Sequence, residues 1–202
     1  MFDVLDTLVV DPFHEALPAF FGLSFDEFVQ LKHPTAWLDF ECARLDEADY
    51  LATLFLDRRP VDGDALRAHL SHAYRWVDGM EALLAEVAEH GRAAGFEVHA
   101  LSNYGAWYRL IEHELGLSRF LRWSFVSWDT GHRKPDAAAY QQVERHLDAT
   151  GAQLFFVDDQ TRNVEAAVAR GWDAVRFTAA EELRGELARR DLVASADPGL
   201  RT

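Results

Sequence analysis

The chain has 202 residues, of which 49% are hydrophobic and 12% aromatic, and at roughly 100–200 residues per domain this predicts one domain or one domain with an insertion. The composition excludes disordered, collagen-like and low-complexity proteins, because it supplies enough apolar side chains for a packed core. The net charge of −14 argues against nucleic acid and anionic membranes as partners, since clustered Lys and Arg bind both.

Predicted strands and helices alternate along most of the chain. Short apolar runs predict strands, and stretches with apolar residues three and four apart predict helices. The strands are continuously apolar, which is typical of a parallel sheet covered on both faces. The fold class is therefore α/β, a doubly wound parallel sheet with a Rossmann-like core. The predicted strands span residues 1–4 (with 8–10 just beyond), 97–101, 123–127, 154–157 and 174–177, and the helices span 79–94, 106–115, 136–149, 161–170 and 179–190.

The section from Pro12 to about Asp78 has no strand signal. It contains predicted helices over residues 24–32, 36–45, 46–55 and 62–76, with Ser24 and Asp46 as N-caps and a capping box between Ser24 and Glu27. About 65 residues are too many for a simple crossover between strands. We therefore predict a small helical subdomain above the sheet at 12–78, a core formed by 1–11 and 79–196, and a frayed tail at 197–202.

Two features predict the environment of the protein. The single Cys42 cannot form an internal disulfide, and we interpret it as a small buried side chain in a protein from a reducing compartment. The sequence has no run of about 18 apolar residues and no basic leader before an apolar stretch, so it predicts neither a transmembrane span nor a signal peptide. We therefore expect a soluble, cytoplasmic protein.

Polar residues stand at or near the ends of the first four predicted strands. They are Asp3 before a turn with Asp6 and Thr7, then Ser102 and Asn103, then Lys134, and finally Asp158 and Asp159. Each alone is explained as a cap, turn or loop residue, although Asp3 lies in an apolar strand and is costly to bury without a partner. Because ligands of open α/β sheets bind beyond the carboxyl ends of the strands, we expect these side chains to share one site.

The residue types at this edge suit phosphoryl transfer. Asp3 and Asp159 would share a hard cation such as Mg²⁺, which binds carboxylates, waters and substrate oxygens. Lys134 and the Ser102 hydroxyl would hold one phosphoryl oxygen, and the backbone N–H groups of the turn at 6–7 would hold another, with Asn103 as a further candidate for binding the phosphate. Asp3 would act as the nucleophile and form an aspartyl-phosphate, while the cation and Lys134 offset its repulsion from the phosphate.

These residues, in this order and spacing, resemble the four motifs of the haloacid dehalogenase (HAD) superfamily of hydrolases. Residues 2–8, with the sequence FDVLDTL, are similar to the first motif. Ser102, Lys134 and the pair Asp158 and Asp159 are similar to the second, third and fourth. The resemblance covers nearly the whole chain and implies that the helical section at about 11–78 is a cap that covers the active site and selects substrates.

The resemblance also assigns roles to individual residues. It implies that Asp3, Asp159 and the backbone carbonyl of Leu5 bind Mg²⁺, with Asp158 acting through water or from the second layer of contacts. Phosphatases of the superfamily usually carry a second Asp two residues after the nucleophile, which protonates the leaving oxygen and then activates water. That position is Leu5 here, and loss of a general acid slows release of an alkoxide about 10²–10⁴-fold.

Three interpretations of this departure are open. Another group supplies the proton, or the leaving group needs none, or turnover is vestigial; the candidate donors are Asp6, His14, His33, His132 and a metal-bound water. Dehalogenases of the superfamily also lack the second Asp but need no metal, whereas the paired acids at 158–159 resemble the metal-binding fourth motif, which favours a phosphatase. The alternatives are a metal-independent haloacid-dehalogenase-type hydrolase and a non-catalytic protein that binds a phosphorylated metabolite.

Within the superfamily, cap and loop sequences resemble the plant plastid-type flavin mononucleotide (FMN) hydrolases. The similar stretches are residues 2–22, 32–37, 103–108 and 157–163. This likeness implies hydrolysis of FMN to riboflavin, with Mg²⁺ as the cofactor and a small phosphorylated metabolite as the partner of a monomer or homodimer. Trp37 and Trp107 are candidates to stack on the flavin ring; the alternative is that they pack between cap and core, as aromatic side chains commonly do.

Overall fold

A parallel sheet lies at the centre of the molecule, and the computed structural model describes it within residues 1–194. Its strands are β1 (His99–Ser102), β2 (Arg122–Val126), β3 (Phe155–Asp158) and β4 (Asp173–Arg176). β1 pairs with β2 and β3 pairs with β4, both in parallel. Phe2 joins the two pairs through parallel bridges to Ala100 and Val157. The order across the sheet is therefore β2, β1, the Phe2 segment, β3 and β4, which confirms the predicted α/β class.

The first residues of the chain occupy the middle of this sheet. The Phe2 N–H donates to the His99 carbonyl and the Asp3 N–H donates to the Val157 carbonyl, both over 2.9 Å. The predicted first strand at 1–4 is an extended segment that bridges only at Phe2, because the chain turns back directly after it. The Val4 carbonyl accepts two N–H groups of that turn, over 2.8 Å each. This turn places Asp3 at the carboxyl edge of the sheet.

Each predicted helix has a counterpart with somewhat shorter bounds, and two short helices, the first and the eighth, are additional. Within residues 1–194, none of the helices is long and apolar enough to cross a membrane. The predicted tail at 197–202 and residues 195–196 lie outside the described residues. The helices are α1 (Ala16–Phe20), α2 (Phe25–Leu31), α3 (Ala36–Glu41), α4 (Glu47–Thr53), α5 (Gly63–Ser71), α6 (Met80–Ala94), α7 (Tyr108–Leu115), α8 (Ser127–Thr130), α9 (Ala137–Leu147), α10 (Thr161–Val168) and α11 (Ala180–Ala188), with single 3₁₀ turns at Leu117–Arg119 and Gly151–Gln153.

The predicted caps of α2 and α4 are present. Ser24 accepts the N–H of Glu27, and the Glu27 carboxylate accepts the N–H of Ser24 over 2.9 Å, which completes the capping box. Asp46 accepts the N–H of Asp49 over 2.8 Å at the start of α4. Each cap satisfies backbone donors that the first turn of a helix leaves without a partner.

Several predicted ends differ from the structure, and those of two helices differ most. The helix predicted over 62–76 stops at Ser71, because Trp76 pairs in an antiparallel bridge with Val9 instead. The helix predicted over 36–45 stops at Glu41, since Ala43 takes a left-handed conformation with φ +55°. The strand predicted to end at 127 ends at Val126, where α8 begins. Only the first of these ends depends on a contact far along the chain, between Trp76 and Val9; the other two follow from a backbone turn or a new helix at the end itself.

The helical section at 12–78 packs on the rest of the molecule through buried contacts. The Phe40 ring of α3 lies so close to Gly105 that a Cβ there would stand 2.3 Å from Phe40 Cε1. Glu41 is 2% exposed and pairs with Arg133, in the loop that leads to Lys134. These contacts hold α3 against the carboxyl edge of the sheet; the division into cap and core stays a prediction.

Candidate active site

A buried lysine joins two carboxylates at the carboxyl edge of the sheet. Lys134 Nζ lies 2.7 Å from Asp3 Oδ1 and 2.6 Å from Asp158 Oδ2. Asp158 is the last residue of β3, and Asp3 follows the neighbouring Phe2 bridge, so the parallel register brings the two acids together. Lys134 is only 1% exposed. A cation this deeply buried is stable only because the two carboxylates accept its hydrogen bonds.

Asp158 is fully engaged by protein donors. Besides Lys134, it accepts the backbone N–H of Gln160 over 2.8 Å and the side-chain amide of Asn163, which lies 3.0 Å from both carboxylate oxygens. Its neighbour Asp159 is half-buried and accepts a hydrogen bond from the Gln160 side chain. Asp158 therefore holds Lys134 in place, and Asp159 is the more accessible carboxylate of the pair.

The acids at this edge fit a divalent cation. Asp3, Asp158 and Asp159 each offer an oxygen, and these oxygens lie within 4.8 Å of one another. Burial raises the pKa of Asp3 to about 8; Lys134 opposes the shift, whereas Asp158 and Asp159 add to it. Three carboxylates facing one ammonium leave a net negative charge that a divalent ion would balance. Hard oxygen donors of this kind suit Mg²⁺, which would also keep Asp3 ionised.

The turn after Asp3 carries two of the predicted phosphate-binding residues. The backbone N–H of Asp6 donates to the Val9 carbonyl over 2.7 Å, and the predicted phosphate contact of the N–H groups of this turn stays a prediction. Thr7 is fully buried, and its Oγ1 finds no hydrogen-bond partner among the described residues. Ser102 is buried at the last position of β1, at the same edge as Asp3. The phosphate contacts of Thr7 and Ser102 stay predictions.

Asn103 holds the backbone of Lys134 from both sides. Its side-chain amide donates to the Lys134 carbonyl over 2.8 Å, and its carbonyl oxygen accepts the Lys134 N–H over 2.7 Å. The side chain thereby positions the lysine loop against the end of β1. A direct contact between Asn103 and phosphate stays a prediction.

An apolar cavity of about 300 Å³ borders the site at Leu5 and Asn103 and extends under the helical section. Trp37 and Trp107 both line it, with ring centroids 6.0 Å apart. Trp107 is also buried and donates its indole N–H to Glu47 over 2.7 Å. The two tryptophans therefore pack between α3, α4 and the core and line the cavity at once; stacking on a substrate ring stays a prediction.

One acidic residue of this cavity is not among the site residues predicted from the sequence. Asp11 lines its wall, as Leu5 does. The only available signal is an acid directly after the apolar run at 8–10, which alone is indistinguishable from an ordinary turn residue.

The chain is similar to known hydrolases in both sequence and fold. No protein-family model matches the chain. The chain is 38% identical over 187 residues to the chloroplastic flavin mononucleotide hydrolase 1 of Arabidopsis thaliana, covering 93% of this chain and 75% of the relative. An HAD family enzyme from Bacteroides thetaiotaomicron, solved with magnesium and inorganic phosphate, has a TM-score of 0.69 at 15% identity, covering 88% of this chain and 92% of that one. The L-2-haloacid dehalogenase of Xanthobacter autotrophicus has a TM-score of 0.61 at 20% identity, covering 98% and 83%.

Proposed function

Because the chain belongs to the haloacid dehalogenase superfamily of hydrolases, as a relative of the plant flavin mononucleotide hydrolases, we propose that it is a Mg²⁺-dependent phosphatase with Asp3 as its nucleophile. The observation that carries this proposal is the buried Lys134 ammonium, 2.7 Å from Asp3 Oδ1 beside the acids at 158–159. A nucleophilic carboxylate held next to a fixed cation suits attack on a phosphate dianion.

The reaction divides into two displacements at phosphorus. A carboxylate oxygen of Asp3 attacks the phosphorus and the ester oxygen leaves, which gives an aspartyl-phosphate. Water then attacks the same phosphorus and releases inorganic phosphate and the free Asp3 carboxylate. Mg²⁺ held by Asp3, Asp159 and the Leu5 carbonyl would neutralise phosphate charge. Lys134 supplies fixed positive charge from the protein throughout, with its position set by Asn103 and Asp158.

The substrate we propose is a phosphomonoester with a flat aromatic part, of which FMN is the leading candidate. The cavity beside the site is lined mainly by apolar and aromatic side chains, among them Trp37, Tyr104 and Trp107. Aromatic rings attract one another at centroid distances of about 4.5–7 Å, and a ring held there would carry its phosphate toward Asp3. The 38% identity to a flavin mononucleotide hydrolase supports the same substrate.

A metal-independent dehalogenase is the second candidate, and Leu5 is the observation that favours it. A halide leaves without a proton, so an apolar residue at this position does not hinder that reaction. The acid cluster at 3, 158 and 159 opposes it, because a reaction without a cation gains nothing from three crowded carboxylates. The third candidate is a protein that binds a phosphorylated metabolite without hydrolysing it. The presence or absence of phosphate release distinguishes this candidate from a phosphatase.

The test is phosphate release from FMN with Mg²⁺ and again with excess chelator. We expect release with the metal and a loss of at least about 10³-fold without it, since the cation carries much of the charge stabilisation. Hydrolysis of 2-chloropropionate that the chelator leaves unchanged would establish the dehalogenase instead. Tight binding of FMN without any release would establish the binding protein.

Trp37→Leu tests the aromatic cavity. We expect the KM for FMN to rise about 5–10-fold, because one aromatic contact contributes about 1 kcal/mol beyond its buried area, while the KM for glycerol phosphate stays within a factor of about two. Trp123→Phe is the matched control, since Trp123 does not line the cavity. Equal changes in KM for both substrates in Trp37→Leu would contradict the assignment.

A further inference from the structure

The proposed phosphatase needs a proton donor for the leaving oxygen, and the family position for it is Leu5. We propose that the Asp11 carboxyl supplies this proton and later takes one from the attacking water; the inference rests on the proposed function. It makes Asp11 a catalytic residue that the first motif does not predict.

The fold of the turn after Asp3 brings Asp11 back to Leu5. Asp6 takes a left-handed conformation with φ +54°, and its Oδ1 accepts the Asp11 N–H over 2.9 Å. Leu5 and Val9 form a bridge within the same turn. As a result, Leu5 and Asp11 line the same cavity. Leu5 offers no carboxyl group, and Asp11 supplies one to the cavity wall.

The surroundings of Asp11 suit a group that both gives and accepts a proton. Burial raises its pKa to about 6; the Phe13 N–H, which it accepts over 2.9 Å, opposes the shift, and the Asp6 carboxylate adds to it. The other ionisable groups that face it are His14 and Asp159, with the hydroxyls of Tyr74 and Tyr104. A value this close to neutrality is the one at which acid–base catalysis is most efficient.

The other candidate donors are less well placed. His33 lines the cavity, but its Nδ1 accepts the backbone N–H groups of Thr35 and Ala36 over 3.3 and 3.1 Å. A second proton on that ring would displace both hydrogen bonds at the start of α3. His14 and His132 are exposed and do not line the cavity. Asp6 lies within 4.8 Å of Asp11 and His14, but its Oδ1 accepts the Asp11 N–H over 2.9 Å, and it lines the cleft with Asp159 rather than the cavity.

The proton transfers balance over the two steps. As Asp3 attacks, the bond between phosphorus and the ester oxygen breaks, and the proton of the Asp11 carboxyl moves to that oxygen to give a neutral alcohol. The Asp11 carboxylate then accepts a proton from the water that attacks the aspartyl-phosphate. Release of phosphate restores the Asp3 carboxylate and the protonated Asp11.

The experiment compares Asp11→Asn with wild type on two esters. FMN releases an alkoxide that needs a proton, whereas 4-nitrophenyl phosphate releases a stable phenolate. We expect the first step with FMN to slow about 10²–10⁴-fold in single-turnover experiments, and that step with nitrophenyl phosphate to change less than about tenfold. The amide keeps the acceptor for the Phe13 N–H, so folding is preserved. Glu15→Gln, an exposed acid of the same segment, is the control and is expected to behave as wild type.

Two further measurements on the role of Asp11 are a second substitution at Leu5 and a pH profile of the wild-type protein. Leu5→Asp in the Asp11→Asn background restores a carboxyl at the family position and is expected to recover FMN hydrolysis at least about tenfold. In wild type, the rate of the first step with FMN is expected to fall as pH rises through the Asp11 pKa, because the carboxyl loses the proton that it donates. The rate of that step with nitrophenyl phosphate is expected to show no such fall. Equal slowing of both esters by Asp11→Asn, or none, overturns the role of Asp11 but leaves the phosphatase intact. Absence of any phosphate release in wild type overturns the proposed function itself.

Discussion

Asp3→Asn is expected to lower phosphate release from FMN by at least about 10⁴-fold, because an amide cannot attack phosphorus as a carboxylate does. The fold should survive, since the amide oxygen still accepts the hydrogen bond of Lys134, which in wild type is 2.7 Å long. The measurement is initial rate at saturating Mg²⁺, with circular dichroism and the melting temperature as checks on folding.

The control for this substitution is Asp26→Asn, which removes a carboxylate from the exposed start of α2. It is expected to leave both rate and melting temperature unchanged. An Asp3→Asn protein that keeps its fold and retains activity within about tenfold of wild type would remove Asp3 from the role of nucleophile.

Lys134→Met is expected to damage both stability and activity. The substitution leaves Asp3 and Asp158 buried side by side without their shared cation, and removing one partner of a buried ion pair costs about 3–5 kcal/mol of unfolding free energy. At roughly 2–4 °C per kcal/mol for a chain of this size, the melting temperature falls by roughly 6–20 °C. Arg44→Met, which removes an exposed pair with Asp39, should cost less than about 1 kcal/mol.

The loss of stability in Lys134→Met should depend on pH. The ammonium lowers the pKa of Asp3, so its removal raises that pKa further above the unfolded value of about 3.9. A carboxyl with a raised pKa in the folded state is well tolerated below its unfolded pKa and destabilises the fold as pH rises through the folded one. In metal-free buffer the deficit relative to wild type therefore grows as pH rises above about 8, the pKa of Asp3 in wild type, and we expect it to be larger at about pH 9.5 than at about pH 6. A deficit that is equal at both pH values would contradict the contact with Asp3.

Local sequence patterns predict the elements of this fold better than their ends. The Ser24 capping box depends on residues three apart, and it is found as predicted. The end of α5 depends on Trp76 pairing with Val9, a contact between residues far apart in the chain. Periodicity alone extends the helix through such a position, because nothing local signals the partner strand.

The candidate site also has a part that the sequence predicts and a part that it does not. Asp3, Lys134 and Asp158 meet because parallel strands end at one edge, a rule that follows from strand order and direction alone. Asp11 reaches the cavity only through the left-handed backbone at Asp6 and the hydrogen bond between them. This path depends on the three-dimensional geometry of the turn, so the sequence alone does not distinguish Asp11 from an ordinary turn residue. Asn103 likewise gains its role from two hydrogen bonds to Lys134, 31 positions along the chain.

The most direct test of the proposed mechanism is to trap the phosphorylated form of Asp3. Wild-type protein turning over FMN with Mg²⁺ is quenched in acid and reduced with borohydride, which converts an aspartyl-phosphate to homoserine, and the peptides are then sequenced by mass spectrometry. We predict homoserine at position 3, in amounts that depend on substrate and metal and are absent from Asp3→Asn. Steady phosphate release with an unmodified Asp3, or with the modification at Asp159, would contradict the proposed mechanism.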